Sequence, residues 1–287
     1  MFVAVGHDGL RLSSSNGLEW KNEQRGKEGE IYRAIAFGNG AFSAVGSYGG
    51  KNILAATKDG VTWQVSDKDA KYVRYYRGLC FGDGRFVALG GDPGGVGVAA
   101  AFVSTSTDGF AWGDYQPIPG KFMIRRAAFG GGLFVGVGDR GRRARSKDAL
   151  NWEDVEKVKA LDTLVDIAFG NGIFVGVGLH GLRMTTKDGL LWSDPLRGEE
   201  GEHLNSVLFA NDRFVAVGAG ATYFSSDGAT WERAANENAP VTTCFGDGVF
   251  VGSKWKGNLV RSTDAVKWTA VYKAPSHVES VAFGKLD

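Results

Sequence analysis

The sequence predicts an all-β fold: a seven-bladed β-propeller of four-stranded antiparallel blades, the first blade closed by the C-terminal strand. Three observations carry this. A segment of the form Ser/Thr-x-Asp-Gly-x-x-Trp, with variants, recurs seven times and ends at Trp20, Trp63, Trp112, Trp152, Trp192, Trp231 and Trp268. These Trp lie 43, 49, 40, 40, 39 and 37 positions apart, the spacing of propeller blades. A second motif, Phe-Gly-x-Gly-x-Phe-Val-x-Val-Gly, precedes each segment from the second repeat onward.

Each repeat reads as four strands. Strand A ends in Phe-Gly or its variant: Phe37-Gly38, Phe81-Gly82, Phe129-Gly130, Phe169-Gly170, Phe209-Ala210 and Phe245-Gly246. Asn-Gly or Asp-Gly then makes the A–B hairpin, because that turn needs positive φ and Gly supplies it without steric cost. Strand B is Phe-Val-x-Val-Gly, strand C runs up to Ser/Thr-x-Asp, and strand D begins near the Trp. The 44 Gly thus mark turns rather than disorder, and only six Pro interrupt the ladders. In the Asp-Gly turn the carboxylate and the Ser/Thr hydroxyl accept from nearby N–H groups, and the Trp covers the turn. The Asp residues therefore read as structural rather than catalytic or calcium-binding.

The first repeat begins at strand B, Phe2-Val3-Ala4-Val5-Gly6, with no strand A before it. The missing strand is His277 to Gly284, at the other end. Blade 1 is accordingly expected to combine residues 2–20 with 277–287, and residues 1–287 to form a single propeller domain. Closure hides the apolar faces between blades, which no lone blade can bury.

Bulk composition narrows the classes of partner. The formal net charge is +1, with 33 basic and 32 acidic residues, so no strong field favours nucleic acid or an anionic membrane. No apolar run is long enough to span a bilayer, and no signal-peptide pattern opens the chain. Cys80 and Cys244 occupy the same repeat position, where other copies carry Ala or Leu; they are expected to be small fillers, not a disulfide.

The seven Asp-Gly-Trp segments resemble the Asp-box, or BNR, repeats of sialidase-like and other β-propellers, over essentially the whole chain. The usual pattern is Ser-x-Asp-x-Gly-x-x-Trp; here Gly follows Asp directly, Ala149 and Ala265 replace the Gly, and Asn16 replaces one Asp. The resemblance implies a propeller and a family spanning glycoside hydrolases, lectin-like binders, assembly factors and surface or viral proteins. It slightly favours a secreted, cell-surface or virion-associated setting. Sialidases typically have six blades and a Phe-Arg-Ile-Pro motif, which this chain lacks, so their activity does not carry over by motif.

In four-stranded blades the B–C and D–A connections share one face, opposite the Asp-Gly turns, and loops on a rigid scaffold are where binding residues gather. From the Gly ending strand B to the Ser/Thr before the turn, the repeats span 8, 11, 16, 8, 8, 7 and 10 positions. Repeats 2, 3 and 7 are lengthened, and because repeats 7, 1, 2 and 3 are consecutive around a closed ring, the long connections cluster on one arc. Trp255 is the only Trp outside the seven segments, in a B–C loop, suited to stacking on a sugar or anchoring a protein; the alternative is packing beneath its own loop. Tyr48, Lys51 and His7 fall in the neighbouring region.

Four positions before the Phe of strand A stand Arg33, Arg77 and Arg125 in successive repeats, with Val165, Asn205, Val241 and Glu279 as counterparts. Strand A lines the channel, so these positions ring its mouth. Three guanidinium groups there suit a carboxylate, phosphate or sulfate; the alternative is pairing with Glu279, Asp166 and acidic D–A loops. The run Arg140-Gly141-Arg142-Arg143-Ala144-Arg145 reads as a solvated outer edge.

Catalytic patterns are sparse. His7, His180, His203 and His277 are scattered without metal spacing, and no Cys cluster, Gly-Lys-Ser/Thr loop or Gly-x-Ser-x-Gly elbow occurs, so no cofactor or metal is expected. Tyr32, Tyr76, Asp92, Asp166 and Glu279 could supply a glycosidase, but nothing pairs a nucleophile with a base. The expectation is a non-enzymatic scaffold binding a glycan or protein partner on the loop face. The alternatives are a hydrolase of an anionic sugar, its carboxylate held by the Arg ring, or a structural module of a larger assembly. Ligand identity and oligomeric state are open at this level.

Overall fold

Seven antiparallel sheets form a closed ring in which the innermost strands touch their neighbours in order and the seventh touches the first. The computed structural model describes residues 1–69, 75–91, 101–120, 122–155 and 158–286. Blade 1 pairs strand A (Val278–Phe283) with strand B (Phe2–Gly6), then C (Arg11–Ser14) and D (Lys21–Gln24). Phe2 faces Phe283 and Ala4 faces Val281 in the ladder that closes the ring.

Strands A of blades 2 to 7 are Ile31–Gly38, Tyr75–Gly82, Ile124–Gly130, Leu164–Gly170, His203–Ala210 and Thr242–Gly246. Blade 5 departs from the expected four strands. It holds three, and the place of its fourth is taken by two isolated bridges, Arg183–Leu196 and Thr186–Trp192.

The core is divided. Among the described residues, seven apolar clusters each sit between two adjacent blades. One joins Val3 and Val5 of blade 1 to Tyr32, Phe42 and Ile53 of blade 2. Another joins Phe2 and Leu12 of blade 1 to Val251 and Leu259 of blade 7. Each fully buried Phe or Leu contributes about 1.5–3 kcal/mol, so blade contacts rather than single blades carry the stability. The Phe-Gly pairs interlock the same way. A Cβ on Gly38 would lie 2.1 Å from the Phe81 ring, and one on Gly284 2.2 Å from Phe37. The Phe of one blade thus lies flat on the Gly of the blade before it, across the closure as well.

The Asp-Gly-Trp segments form hydrogen-bonded turns. Thr57 Oγ1 accepts from Gly60 N at 2.9 Å, and Asp59 Oδ1 accepts from Val61 N and Thr62 N at 2.8 and 2.7 Å. Asn16 does the same for Leu18 N and Glu19 N at 2.8 and 3.0 Å. Ala149 and Ala265 keep the left-handed turn at φ 67° and 61°, at a cost of about 1–2 kcal/mol each. Both methyl groups are fully buried, which offsets part of that cost.

Three further sequence expectations are corrected. Repeat 2 has no longer loop: its strands B (Ala41–Tyr48) and C (Lys51–Thr57) are longer and meet at a two-residue Gly49-Gly50 turn. The arginine run of blade 4 is not a solvated edge. Arg142 is buried against Asp154 at 2.9 Å, and Arg143 is buried over the Trp192 ring of blade 5 at 4.8 Å. Arg11 and Arg183 repeat this contact on Trp63 and Trp231, so a strand-C Arg braces the next blade's Trp in three places. The His residues are paired, not scattered: ring centroids are 5.2 Å apart for His7–His277 and 5.3 Å for His180–His203.

Cys80 and Cys244 are unpaired thiols, as expected, and burial pushes the Cys80 thiol up to about 12. The long B–C connection of repeat 3, with Asp92, lies outside the described residues.

Candidate functional site

Strand A carries a β-bulge at one repeated position. In blade 2 the ladder pairs Tyr32 with Gly46 and Ala34 with Val45, leaving Arg33 unpaired between them. The same shift leaves out Arg77, Arg125, Val165, Asn205 and Glu279 in blades 3, 4, 5, 6 and 1. A bulge re-aims its extra residue, and here it turns these side chains to the channel mouth while Tyr32 and Tyr76 stay buried between blades. The Gly ending strand B makes room for it: a Cβ on Gly46 would lie 1.9 Å from the Ile31 carbonyl oxygen. Alternation alone places these residues on the channel side, but not the bulge.

Arg33, Arg77, Arg125, Arg126, Val165 and Glu279 line a cavity of about 140 Å³ at this mouth. Arg33 donates to Glu279 Oε1 at 2.6 Å. Arg125 pairs with Asp139 of its own B–C turn, one bond measuring 3.1 Å. Arg126, which sequence reading passed over, donates to the carbonyls of Arg77 and Arg125 at 3.0 and 3.1 Å. Its charge also acts on Asp166, whose carboxyl desolvation pushes up and Arg126 pulls back down. The expected pairing with acidic groups is therefore met for Arg33 and Arg125. Among the described residues Arg77 has no such partner, and its Nε is buried without a hydrogen bond. Burial, followed by the like charges of Arg33 and Arg125, lowers its pKa.

From the mouth a continuous line of side chains runs outward over blades 1 and 7. Glu279 Oε1 also meets His7 Nε2 at 2.8 Å. His7 packs edge-on against His277, and the Trp255 ring lies 4.8 Å from His277. Trp255 opens the 3-10 turn Trp255–Gly257 and stays 66% exposed, so it does not pack beneath its loop. His277 Nδ1 is buried without a partner, and desolvation holds this ring below the usual histidine pKa. Sequence spacing hid His277 because its contact with His7 crosses the ring closure.

Tyr48 and Lys51 stand apart from this line. Lys27 Nζ lies over the Tyr48 ring at 5.4 Å, and Lys51 pairs with Asp67 at 3.0 Å. A further repeat escaped the sequence reading: Arg25-Gly26-Lys27-Glu28-Gly29-Glu30 and Arg197-Gly198-Glu199-Glu200-Gly201-Glu202. Buried Glu30 and Glu202 curl back onto Lys27 N and Glu199 N at 3.2 and 3.0 Å. Their carbonyls accept from Gly9 N and Gly181 N at 2.9 Å, clipping each D–A connection to a B–C turn.

No protein-family model matches the chain, and no curated protein matches it. Solved structures of similar fold include YCF48 bound to D1 peptide, 20% identical, TM-score 0.57, covering 85% of this chain and 82% of that one. The WD40 β-propeller domain of Doa1 is 10% identical with TM-score 0.64, covering 97% and 90%. Virginiamycin B lyase from Staphylococcus aureus is 10% identical with TM-score 0.65, covering 85% and 84%. At these identities the likeness shows the β-propeller fold.

Proposed function

We propose that residues 1–287 form one Asp-box-type propeller domain that serves as a binding scaffold and takes a protein partner on its loop face, over blades 7, 1 and 2. One observation carries this reading: the unbroken line from Trp255 through His277, His7 and Glu279 to Arg33. An exposed Trp held by a neighbouring ring, beside a charged channel mouth, has the make-up of an interface anchor with a polar surround. Binding of a peptide by YCF48, a propeller of similar fold, supports the same choice. A glycan stacked on Trp255 is the competing ligand. For the hydrolase reading the nearest mouth carboxylate, Glu279, is already engaged by Arg33 and His7.

The test combines cross-linking capture of partners with a glycan array and a fluorogenic sialoside assay. Capture should be lost in Trp255→Ala and kept in Leu191→Ala, a control on the opposite face. Glycan binding without turnover would move the reading to a lectin, and sialoside turnover would replace it with the hydrolase.

A further inference from the structure

We infer that the channel mouth binds one anionic group, a carboxylate or a phosphate, on the Arg77 guanidinium, with Glu279 as the protein's own competitor for it. The inference rests on the loop-face reading and deepens it: the ligand must present an acidic group at the channel.

A charge census of the mouth gives the reason. Arg33 is occupied by Glu279, Arg125 by Asp139, and Arg126 faces Asp166 and two carbonyls. Among the described residues, four guanidinium groups thus meet three carboxyl groups, and Arg77 is the one left over. It is a forked donor, half withdrawn from water, with a buried Nε that bonds to nothing. Arg33 Nε is likewise buried without a partner, so two neighbouring forks each lack an acceptor. An arginine cannot escape this by losing its proton, because its ordinary pKa lies far above neutrality. A half-buried cation with no carboxylate bonded to it is costly, and an entering oxyanion reduces that cost through paired N–H···O bonds.

The cavity also limits what enters. Its volume of about 140 Å³ is well below the roughly 300 Å³ at which pockets for whole drug-sized ligands begin. One acidic head group fits this size, and Val165 is the apolar residue of the lining. Glu279 reaches the same cavity from blade 1, and the bonds from Arg33 and His7 hold it to one side.

Inorganic phosphate and succinate, titrated calorimetrically into the full chain at low ionic strength, test the site. Wild type should bind at least one of them saturably, and Arg77→Met at least tenfold more weakly. Arg77→Lys, which keeps the charge but not the fork, should fall between them. Glu279→Gln should bind several-fold tighter, and Arg85→Met, on the opposite face, should match wild type. Unliganded Arg77→Met should melt no lower than wild type, since it loses an unpaired charge, so its lost binding cannot be attributed to unfolding. No saturable heat with either anion, or equal affinity in wild type and Arg77→Met, overturns the site. If phosphate displaces a captured partner, the partner carries the acidic group; if it binds without displacing, the group is a free oxyanion. Trp255-dependent capture with no anion binding would sink this inference and leave the scaffold reading standing.

Discussion

Met1 and Gly284 exchange two hydrogen bonds, Met1 N to Gly284 O at 2.7 Å and Gly284 N to Met1 O at 3.0 Å. In the other six blades a covalent turn joins strands A and B at this place. Here the junction is non-covalent, yet the Phe2–Phe283 ladder behind it keeps the common register.

Removing residues 278–287 should therefore open the ring. It strips buried Val278 and Val281 from the interface of blade 1 with blade 7, at about 1.5–3 kcal/mol per large side chain, and Ala282 from the interface with blade 2. Calorimetry should show a broadened transition with a van't Hoff enthalpy below the calorimetric one. A permutant joining Leu286 to Met1 by a short linker, with new ends in the exposed Gly49-Gly50 turn, should keep a single sharp transition. Unchanged melting of the truncated chain would refute closure by this strand.

Acid should weaken the Asp-Gly turns. Backbone N–H donors, Thr62 N foremost, lower the Asp59 carboxyl to about 2, and Asp108, Asp148, Asp188 and Asp227 are lowered by the same kind of bond. A depressed folded pKa gives stability that is complete above the unfolded value near 4 and is lost as pH falls through the folded one. The transition midpoint should drop between about pH 4 and 2. Asp59→Asn should hold its melting temperature at pH 7, as Asn16 holds the equivalent turn, and should flatten that acid slope. Asp59→Ala should lose about 1 kcal/mol, a modest loss because the site is exposed.

Arg143 should act as a brace between blades 4 and 5. Burial lowers its pKa to about 10, and it donates to the Asp162 carbonyl at 2.8 Å while covering Trp192. Arg143→Ala should cost about 2–3 kcal/mol, through the ring contact and the buried stem together. Arg143→Lys should recover only part, since an ammonium cannot stack flat on indole. Chemical denaturation at pH 7 reads both, and a neutral Arg143→Ala would remove the bracing role.

His277 should make stability rise with pH near neutrality. Desolvation lowers its pKa, so the unfolded chain takes up a proton first, near pH 6.5. The contribution of the neutral ring is complete above that value and declines as pH falls through the lower folded one. His277→Gln should reduce the loss of melting temperature between pH 7.5 and 5.5, while His203→Gln serves as the comparison. Equal losses in His277→Gln and wild type would show that another group sets the slope.

How much was legible differs by level. The Phe-Gly spacing and the Asp-Gly-Trp period announced blade number, strand order and closure because each is a local pattern repeated in register. The arginines at the mouth were legible for the same reason. Arg142 and Arg143 were misread because charge in a strand looks like surface until its partners are present: Asp154 and connection carbonyls for Arg142, Trp192 of the next blade for Arg143. His277 was missed because His7 is remote in sequence and meets it only through the closure, and because Trp255 reaches it from the B–C turn of the adjoining blade. The fourth strand of blade 5 was expected from the repeat, but its chain makes only two bridges there.

By itself the sequence determined the ring, since turn chemistry and side-chain alternation act within a few residues and need no partner. Tertiary structure alone decided which charges are neutralised and which ring stays exposed. Neutralisation and burial depend on groups from different blades approaching within a few ångström, and no short-range pattern encodes that. Arg33 and Arg77 occupy identical repeat positions, yet one has a carboxylate within 2.6 Å and the other has none among the described residues.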